Sequence, residues 1–231
     1  MFDLLVNWFT PSEKALKVIV KLFPQGILET LTMTFVSGTS GILIGLPIGV
    51  LLFCLRPNGI LANPTLYRIL SLIVNYFRAI PFFILIVWLL ELTKIIAGQK
   101  HGIWAAIIPL TVACAPFIAR MTENVLLELP EGLIEASRSM GAKPHSIIFK
   151  VLIPEALPGL INSFTVVFIS LVGYSAMGGA VGAGGLGQIA HKYGYVGYDA
   201  FVMNSVVIIF VLIVTIIQLT GSYLSKRFNR R

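Results

Sequence analysis

The chain has 231 residues, of which 57% are hydrophobic and only 12% charged, with a mean hydropathy of +0.91 and a formal net charge of +7. A soluble domain is about a quarter charged, so this composition excludes a water-solvated globule and makes the bilayer the expected solvent. The positive excess orients such a chain in its membrane and calls for no nucleic-acid partner.

A spanning helix needs roughly 20 mostly apolar residues. Five stretches qualify: 32–55, 71–92, 102–117, 158–178 and 200–223. The expected fold class is therefore an all-α integral membrane protein. Ahead of the first span, MFDLLVNWFT lacks a basic start and no small-residue cleavage site follows, so no secretory signal is expected. Residues 13–23 read EKALKVIVKLF, with Lys14, Lys17 and Lys21 on one helical face and Leu16, Ile19, Val20 and Phe23 largely opposite. That pattern fits a helix lying in the membrane surface or a plain lead-in to the first span. Residues 1–24 are accordingly set apart from a membrane domain at 25–223 and a basic tail at 224–231.

The first span contains GILIGLPIG, in which Gly41, Gly45 and Gly49 extend a row of small residues begun by Ser37. Such a row lets helix backbones approach closely in lipid, and packing is its expected role. Pro47 lies within it and favours a kink. Arg78, in NYFRAIPFF, is a costly charge in or just before the second span, expected to snorkel to the nearer surface, to pair, or to face water. Glu91 ends the same span, within reach of headgroups. Cys54 and Cys114 lie in apolar helical contexts and are expected to behave as small hydrophobes.

Between the third and fourth spans, residues 122–157 interrupt the apolar sequence with a polar hairpin. Pro130 and Glu131 mark a helix start. The helix runs to Met140, and Gly141 supplies a left-handed stop. Pro144 opens a second short helix, expected to close before Pro154. Leu133, Ala136 and Met140 share one face of the first helix, with Glu131, Glu135 and Arg138 toward the polar side. The result is a rigid knuckle with small residues at its tip, suited to a groove in another protein or to packing on the membrane surface.

After the fourth span comes GYSAMGGAVGAGGLGQ. Gly182, Gly184 and Gly187 match G-x-G-x-x-G, but no strand precedes them, so no nucleotide is implied. An irregular, flexible re-entry at the outer surface, forming a pathway wall, or a simple loop are the available readings. Tyr174, Ser175 and Met177, just before it, are candidate residues of a translocation pathway or gate.

The tail KRFNRR carries four positive charges and marks the cytoplasmic face. Counting back through five spans places the N-terminus outside and the loops near 56–68 and 122–157 inside. Eleven basic residues then lie inside: Arg56, Arg68, Arg78, Arg120, Arg138, Lys143, Lys150, Lys226, Arg227, Arg230 and Arg231. Six lie outside: Lys14, Lys17, Lys21, Lys94, Lys100 and Lys192. No G-x-x-x-x-G-K-[ST], H-E-x-x-H or G-x-S-x-G occurs, His101, His145 and His191 share no ligand spacing, and no metal site is expected.

The hairpin spacing resembles the EAA loop of ABC importer permeases: Glu135-Ala136-Ser137, then Gly141, then Val151-Leu152-Ile153-Pro154. Ser137 stands for Ala, Val151 for Ile and Ile153 for Leu. The resemblance extends through ETLTMTFVSG, GLPIGVLL, FRAIPFFILIVWL and LVGYSAMGGAVGAGGLGQI to the permease subunits of bacterial methionine importers, covering nearly everything from residue 25 to the tail. It implies an ABC type-1 transmembrane domain in the bacterial inner membrane that moves methionine by alternating access. It also implies a pore of two such chains, two separate cytoplasmic ATP-binding subunits using ATP and Mg, and a periplasmic methionine-binding lipoprotein docking on the 94–100 and 182–199 loops. This chain itself would bind no cofactor. The coupling residues implied are Glu135, Ala136, Ser137, Gly141, Ala142, Ile153 and Pro154. An ABC permease for another small amino acid, and an ATP-independent channel or secondary transporter, are the alternatives.

Overall fold

A computed structural model describes residues 10–229. Residues 1–9 of the N-terminal segment, and Arg230 and Arg231 of the tail, lie outside the described residues. The described chain is helical, with no strand. Helix α1 spans Glu13–Leu55, α2 Pro64–Ala79, α3 Phe82–Trp88, α4 Leu90–Ala97 and α5 Ile103–Leu127. Then come α6 Glu131–Ser139, α7 Pro144–Ile147, a wide π turn at Ile148–Leu152, α8 Ile153–Ala180, α9 Gly185–Ile189, a second π turn at Ala190–Tyr195, and α10 Ala200–Phe228. Four of these stretches are long and apolar enough to cross a membrane; α2 and α3 together make a broken fifth.

Capping residues set several of the boundaries. Ser12 Oγ accepts the Ala15 amide at 3.0 Å and starts α1. At its other end the amides of Leu61 and Asn63 return to the carbonyls of Cys54 and Leu55, satisfying groups the helix leaves open. Asn63 Oδ1 then caps α2 through the Leu66 amide at 3.1 Å, with Pro64 in the first turn. Asp199 Oδ1 caps α10 through the Val202 amide at 3.0 Å.

The helices differ from the predicted spans at the end of α5, which runs ten residues past the expected stop at 117, and in three further places. First, α1 is continuous over 43 residues, roughly 65 Å, about twice the hydrocarbon thickness. No break separates residues 13–24 from the span beginning at 32. Ala15 and Phe23 are buried against Val202 and Val206 of α10, while Leu16 and Val20 of the predicted apolar face stay exposed and Ile19 is half-buried. Second, the stretch at 71–92 is not one helix. Ile80 is extended (φ −76°, ψ 122°), because the ring of Pro81 disfavours a helical residue before it. Third, the helix opened by Pro144 does not close before Pro154. It passes through the π turn at Ile148–Leu152 into α8. Pro154 brings no amide and would crowd the carbonyl of Lys150 in a regular helix; the wider turn relieves that clash.

The chain forms two compact units, both drawing residues from α1, α5, α8 and α10. One holds the described residues through Gly38, Pro81–Thr111 and Phe168–Ile217. Its core joins Ala15, Phe23, Val172, Leu186, Ile189, Val202, Val206 and Ile213. The other holds Thr39–Ile80, Val112–Val167 and the described residues from Gln218 onward. Its larger core joins Phe53, Cys54, Val125, Leu126, Ile147, Ile148, Leu152, Ala156 and Leu160. Here the glycine row of α1 meets α5 backbone to backbone. A Cβ on Gly45 would stand 2.4 Å from the Ala115 carbonyl oxygen, and one on Gly49 2.4 Å from that of Ala119. These approaches are closer than any side chain allows, which is why the row is glycine.

Candidate functional site

The knuckle belongs to the second unit. Its first helix, α6, ends in two reverse hydrogen bonds. The Gly141 amide donates to the Arg138 carbonyl at 2.9 Å and the Ala142 amide to that of Ser137 at 3.1 Å, around a Gly141 held at φ +76°. This is a Schellman ending, and it accounts for the glycine, since a Cβ is disfavoured in the left-handed region. Lys143 is extended before Pro144, as the proline ring requires, and the chain reverses into α7. Beneath the reversal Ile147, Ile148 and Leu152 are buried against Phe53, Cys54, Val125 and Leu126, with Ile134 and Ala142 packed alongside. Arg138 Nη2 donates to the Gly59 carbonyl at 3.1 Å, tying the knuckle to the 56–63 connection. Arg56 stacks over Phe53 at 4.4 Å and approaches Glu131 at 3.8 Å.

The candidate coupling residues divide by position. Glu135, Ala136 and Gly141 are exposed at the tip. Ser137 is 4% exposed, and its Oγ donates to the Leu133 carbonyl at 2.7 Å. Ala142 and Ile153 are half-buried on the core, and Pro154 is exposed at the start of α8. Ser137, rather than Met140, completes the inward face with Leu133 and Ile134. Met140 is 80% exposed because it is the last residue before the reversal, where the helical period ends.

The candidate gate residues lie near the end of α8, in the first unit. Tyr174 stacks on Phe82, with ring centroids 4.7 Å apart and planes 13° off parallel. Ser175 is buried and donates to the Val172 carbonyl at 2.7 Å, so it faces its own helix. Met177 is 50% exposed, and Gly173, one turn before it, opens on free space. The glycine-rich segment after α8 is irregular and closely held. Gly182, Gly184 and Gly185 take positive φ, while Glu29 Oε2 accepts the Gly185 amide at 2.7 Å and Thr30 Oγ1 that of Leu186 at 3.0 Å. It folds back onto α8 so tightly that a Cβ on Gly187 would meet the Ala176 carbonyl oxygen at 2.4 Å.

One polar group is missing from the sequence-based candidates. Glu123, 2% exposed, accepts from Arg120 Nη1 at 2.5 Å and from Tyr67 Oη at 3.0 Å. Arg120 Nη2 donates to Ser71 Oγ at 2.8 Å and Asn75 Oδ1 at 2.9 Å. The signal was local, an Arg and a Glu three apart in a helix otherwise apolar, but the predicted span stopped at residue 117.

A family model described as the inner membrane component of binding-protein-dependent transport systems matches residues 41–231. The chain is 63% identical over 158 residues to the D-methionine transport system permease protein MetI of Escherichia coli K12, covering 68% of this chain and 73% of that one. It is 42% identical over 230 residues to a probable D-methionine transport system permease protein of Vibrio cholerae, covering 100% and 99%. Among solved structures, a chain of the inward-facing MetNI methionine ABC transporter matches with a TM-score of 0.91 at 58% identity, over 95% of this chain and 100% of that one. A chain of an amino acid ABC transporter solved with histidines shares the fold, with a TM-score of 0.71 at 24% identity.

Proposed function

The chain belongs to the family of inner membrane components of binding-protein-dependent transport systems, and from that membership we propose that it is the permease subunit of an ATP-driven methionine importer. The observation that carries the coupling reading is the knuckle: an exposed Glu135-Ala136 tip, a Schellman reversal at Gly141 and a buried core beneath it, at the spacing of an EAA loop. A surface that small and stiff can transmit displacement without deforming, which a soft loop cannot.

On this reading two copies of the chain form the pathway in the bacterial inner membrane, and two ATP-binding subunits sit beneath, each receiving one knuckle. ATP and Mg act on those subunits. Glu135 offers them a charge, Ala136 keeps the contact thin, Gly141 makes the turn, and Ser137, Ala142, Ile153 and Pro154 hold the tip to its stem. Closure of the ATPase pair shifts the knuckles and biases the spans between inward-open and outward-open states. The C-terminus is cytoplasmic and the N-terminus periplasmic, where a methionine-binding lipoprotein delivers cargo. Tyr174 and Met177 contribute to the outer gate, and Ser175 supports the helix that carries them. Residues 25–223 form the transmembrane domain; residues 1–24 and 224–231 flank it.

The test is uptake of labelled L- and D-methionine into vesicles holding this chain with its ATPase and binding protein. ATP-dependent accumulation is expected. Accumulation without ATP, or purification without an ATPase in fixed ratio, would sink the reading.

A further inference from the structure

Arg78 sits at an unexpected depth. Helices α2 and α5 run antiparallel along a ladder of contacts: Tyr67 with Glu123, Ser71 and Asn75 with Arg120, and Arg78 with Phe117. The guanidinium carbon of Arg78 lies 5.9 Å from the Phe117 ring centre. Phe117 is ten residues, or roughly 15 Å, from the Leu127 end of α5. Helix α5 is only about 7 Å longer than the hydrocarbon is thick. Wherever that excess falls, the level of Phe117 is inside the hydrocarbon. The charged group lies within 5.9 Å of that ring.

No described carboxylate neutralises it. Among the described residues Arg78 has no carboxylate partner and no hydrogen bond, and it is exposed. The nearest acid along the ladder, Glu123, is already held by Arg120 and Tyr67. An intramembrane charge left open in this way faces water or another protein surface, because facing lipid is costly. Asn75, one turn earlier on the same face, gives its oxygen to Arg120, and this leaves its NH2 group as a second donor beside the guanidinium. Two residues beyond Arg78 the span breaks at Ile80, ahead of Pro81, and broken spans occur where a water-filled path or protein covers the backbone.

We propose that Arg78 and Asn75 form an intramembrane carboxylate-binding subsite that takes the α-carboxylate of the amino acid in transit. A guanidinium grips a carboxylate by two parallel hydrogen bonds, and the Phe117 ring beside it offers the apolar part of a small amino acid a surface. The shared chemistry is an oxyanion, so a lipid phosphate would suit the same donors. The depth favours the free amino acid, since headgroups lie at the surface. The proposal rests on the amino-acid importer reading.

The experiment measures ATP-driven uptake from a mixture of labelled amino acids including methionine, in vesicles holding the full complex, with Arg78→Gln and Arg78→Lys compared to wild type. Each variant is first checked for co-purification with the ATPase in the wild-type ratio. Arg78→Gln should lose about tenfold or more in uptake, and Arg78→Lys, keeping the charge without the fork, should recover to within about threefold. Wild-type uptake in Arg78→Gln overturns the subsite and leaves the importer reading standing. Arg78-dependent uptake of a different amino acid overturns methionine and keeps the subsite. Loss in both variants together with loss of the ATPase subunit assigns Arg78 to assembly and overturns the proposal. A fourth arm uses vesicles with and without phosphatidylglycerol: if its omission drops wild-type uptake to the Arg78→Gln level, the partner is lipid and the proposal fails.

Discussion

Replacing Arg120 by Met separates a structural ion pair from an ornamental one. Glu123 is 2% exposed and has two donors, Arg120 at 2.5 Å and Tyr67 at 3.0 Å. Arg120→Met leaves a buried carboxylate with one neutral donor, and removing one member of a buried pair costs about 3–5 kcal/mol. For a chain of this size that corresponds to roughly 6–20 °C in Tm. Glu123→Leu strands the guanidinium instead, but Arg120 is 16% exposed and keeps Ser71 and Asn75, so its loss should be smaller. The double variant Arg120→Met/Glu123→Leu strands neither charge and fills the space with apolar side chains of similar volume. It should be about 3 kcal/mol more stable than the sum of the single losses predicts. Cys54 and Cys114 are both buried, so a thiol-reactive dye reports unfolding directly in detergent. Single variants within about 1 kcal/mol of wild type, or a double variant that is simply additive, would refute the reasoning.

Three further outcomes are expected. At Gly141 a Cβ would meet nothing within 4 Å, so only the positive φ resists substitution. Gly141→Asn should keep wild-type Tm and uptake, Gly141→Val should lose about 1–2 kcal/mol, and Gly141→Asp should insert normally yet lose methionine transport per ATP, through a charge added to the exposed tip. In the glycine row, a Cβ on Gly49 meets the Ala119 carbonyl, which cannot move, whereas one on Gly41 meets the Cys114 thiol, which can rotate. Gly49→Ala should therefore lower Tm more than Gly41→Ala, by a difference of about 1 kcal/mol or more. Lys100 hydrogen-bonds and pairs with Glu91 outside the spans and holds that carboxyl below its usual range. A depressed carboxyl contributes stability above its unfolded pKa and loses it as pH falls through the folded value. Lys100→Met should raise the Glu91 midpoint in a carboxyl-resolved NMR titration.

Local chemistry was legible in the sequence and distant chemistry was not. The Schellman reversal could be read because Gly141 and Pro144 act on their own backbone. The glycine row could be read because its spacing is the helical period. The break at Ile80 was carried by one proline in an apolar run whose composition does not change across it, so a hydropathy count merges α2 with α3. Pro154 misled in the opposite direction: it looks like a stop, and the π turn that absorbs it leaves no signature in residue type. The Glu123–Arg120 pair was missed because its outer partners, Tyr67 for Glu123 and Ser71 and Asn75 for Arg120, lie on another helix some 45 to 56 residues away, and only packing brings them into one ladder. Met140 was grouped with Leu133 and Ala136 on one face by continuing a period that ends where the helix reverses, whereas Leu133 is half-buried and Ala136 and Met140 are exposed.

The two polar features of the second unit bear on each other. Force delivered to the knuckle has a covalent exit into α8, through a π turn whose Ile148 and Leu152 are buried in the same core as the end of α1 and the last turn of α5. It has a second exit that the sequence does not show. Arg138 holds Gly59, and four residues after Gly59 the side chain of Asn63 starts α2. Helix α2 is bound along its length to α5 by Tyr67, Ser71 and Asn75, and its last turn carries Arg78. A displacement of the knuckle therefore reaches Arg78 through hydrogen bonds and a capped helix, elements that shift as bodies and do not stretch. If Arg78 grips cargo, the motor's stroke and the grip are mechanically linked within one chain. Cutting the Arg138–Gly59 tie with Arg138→Met should then lower methionine moved per ATP while leaving the Tm set by the buried core unchanged.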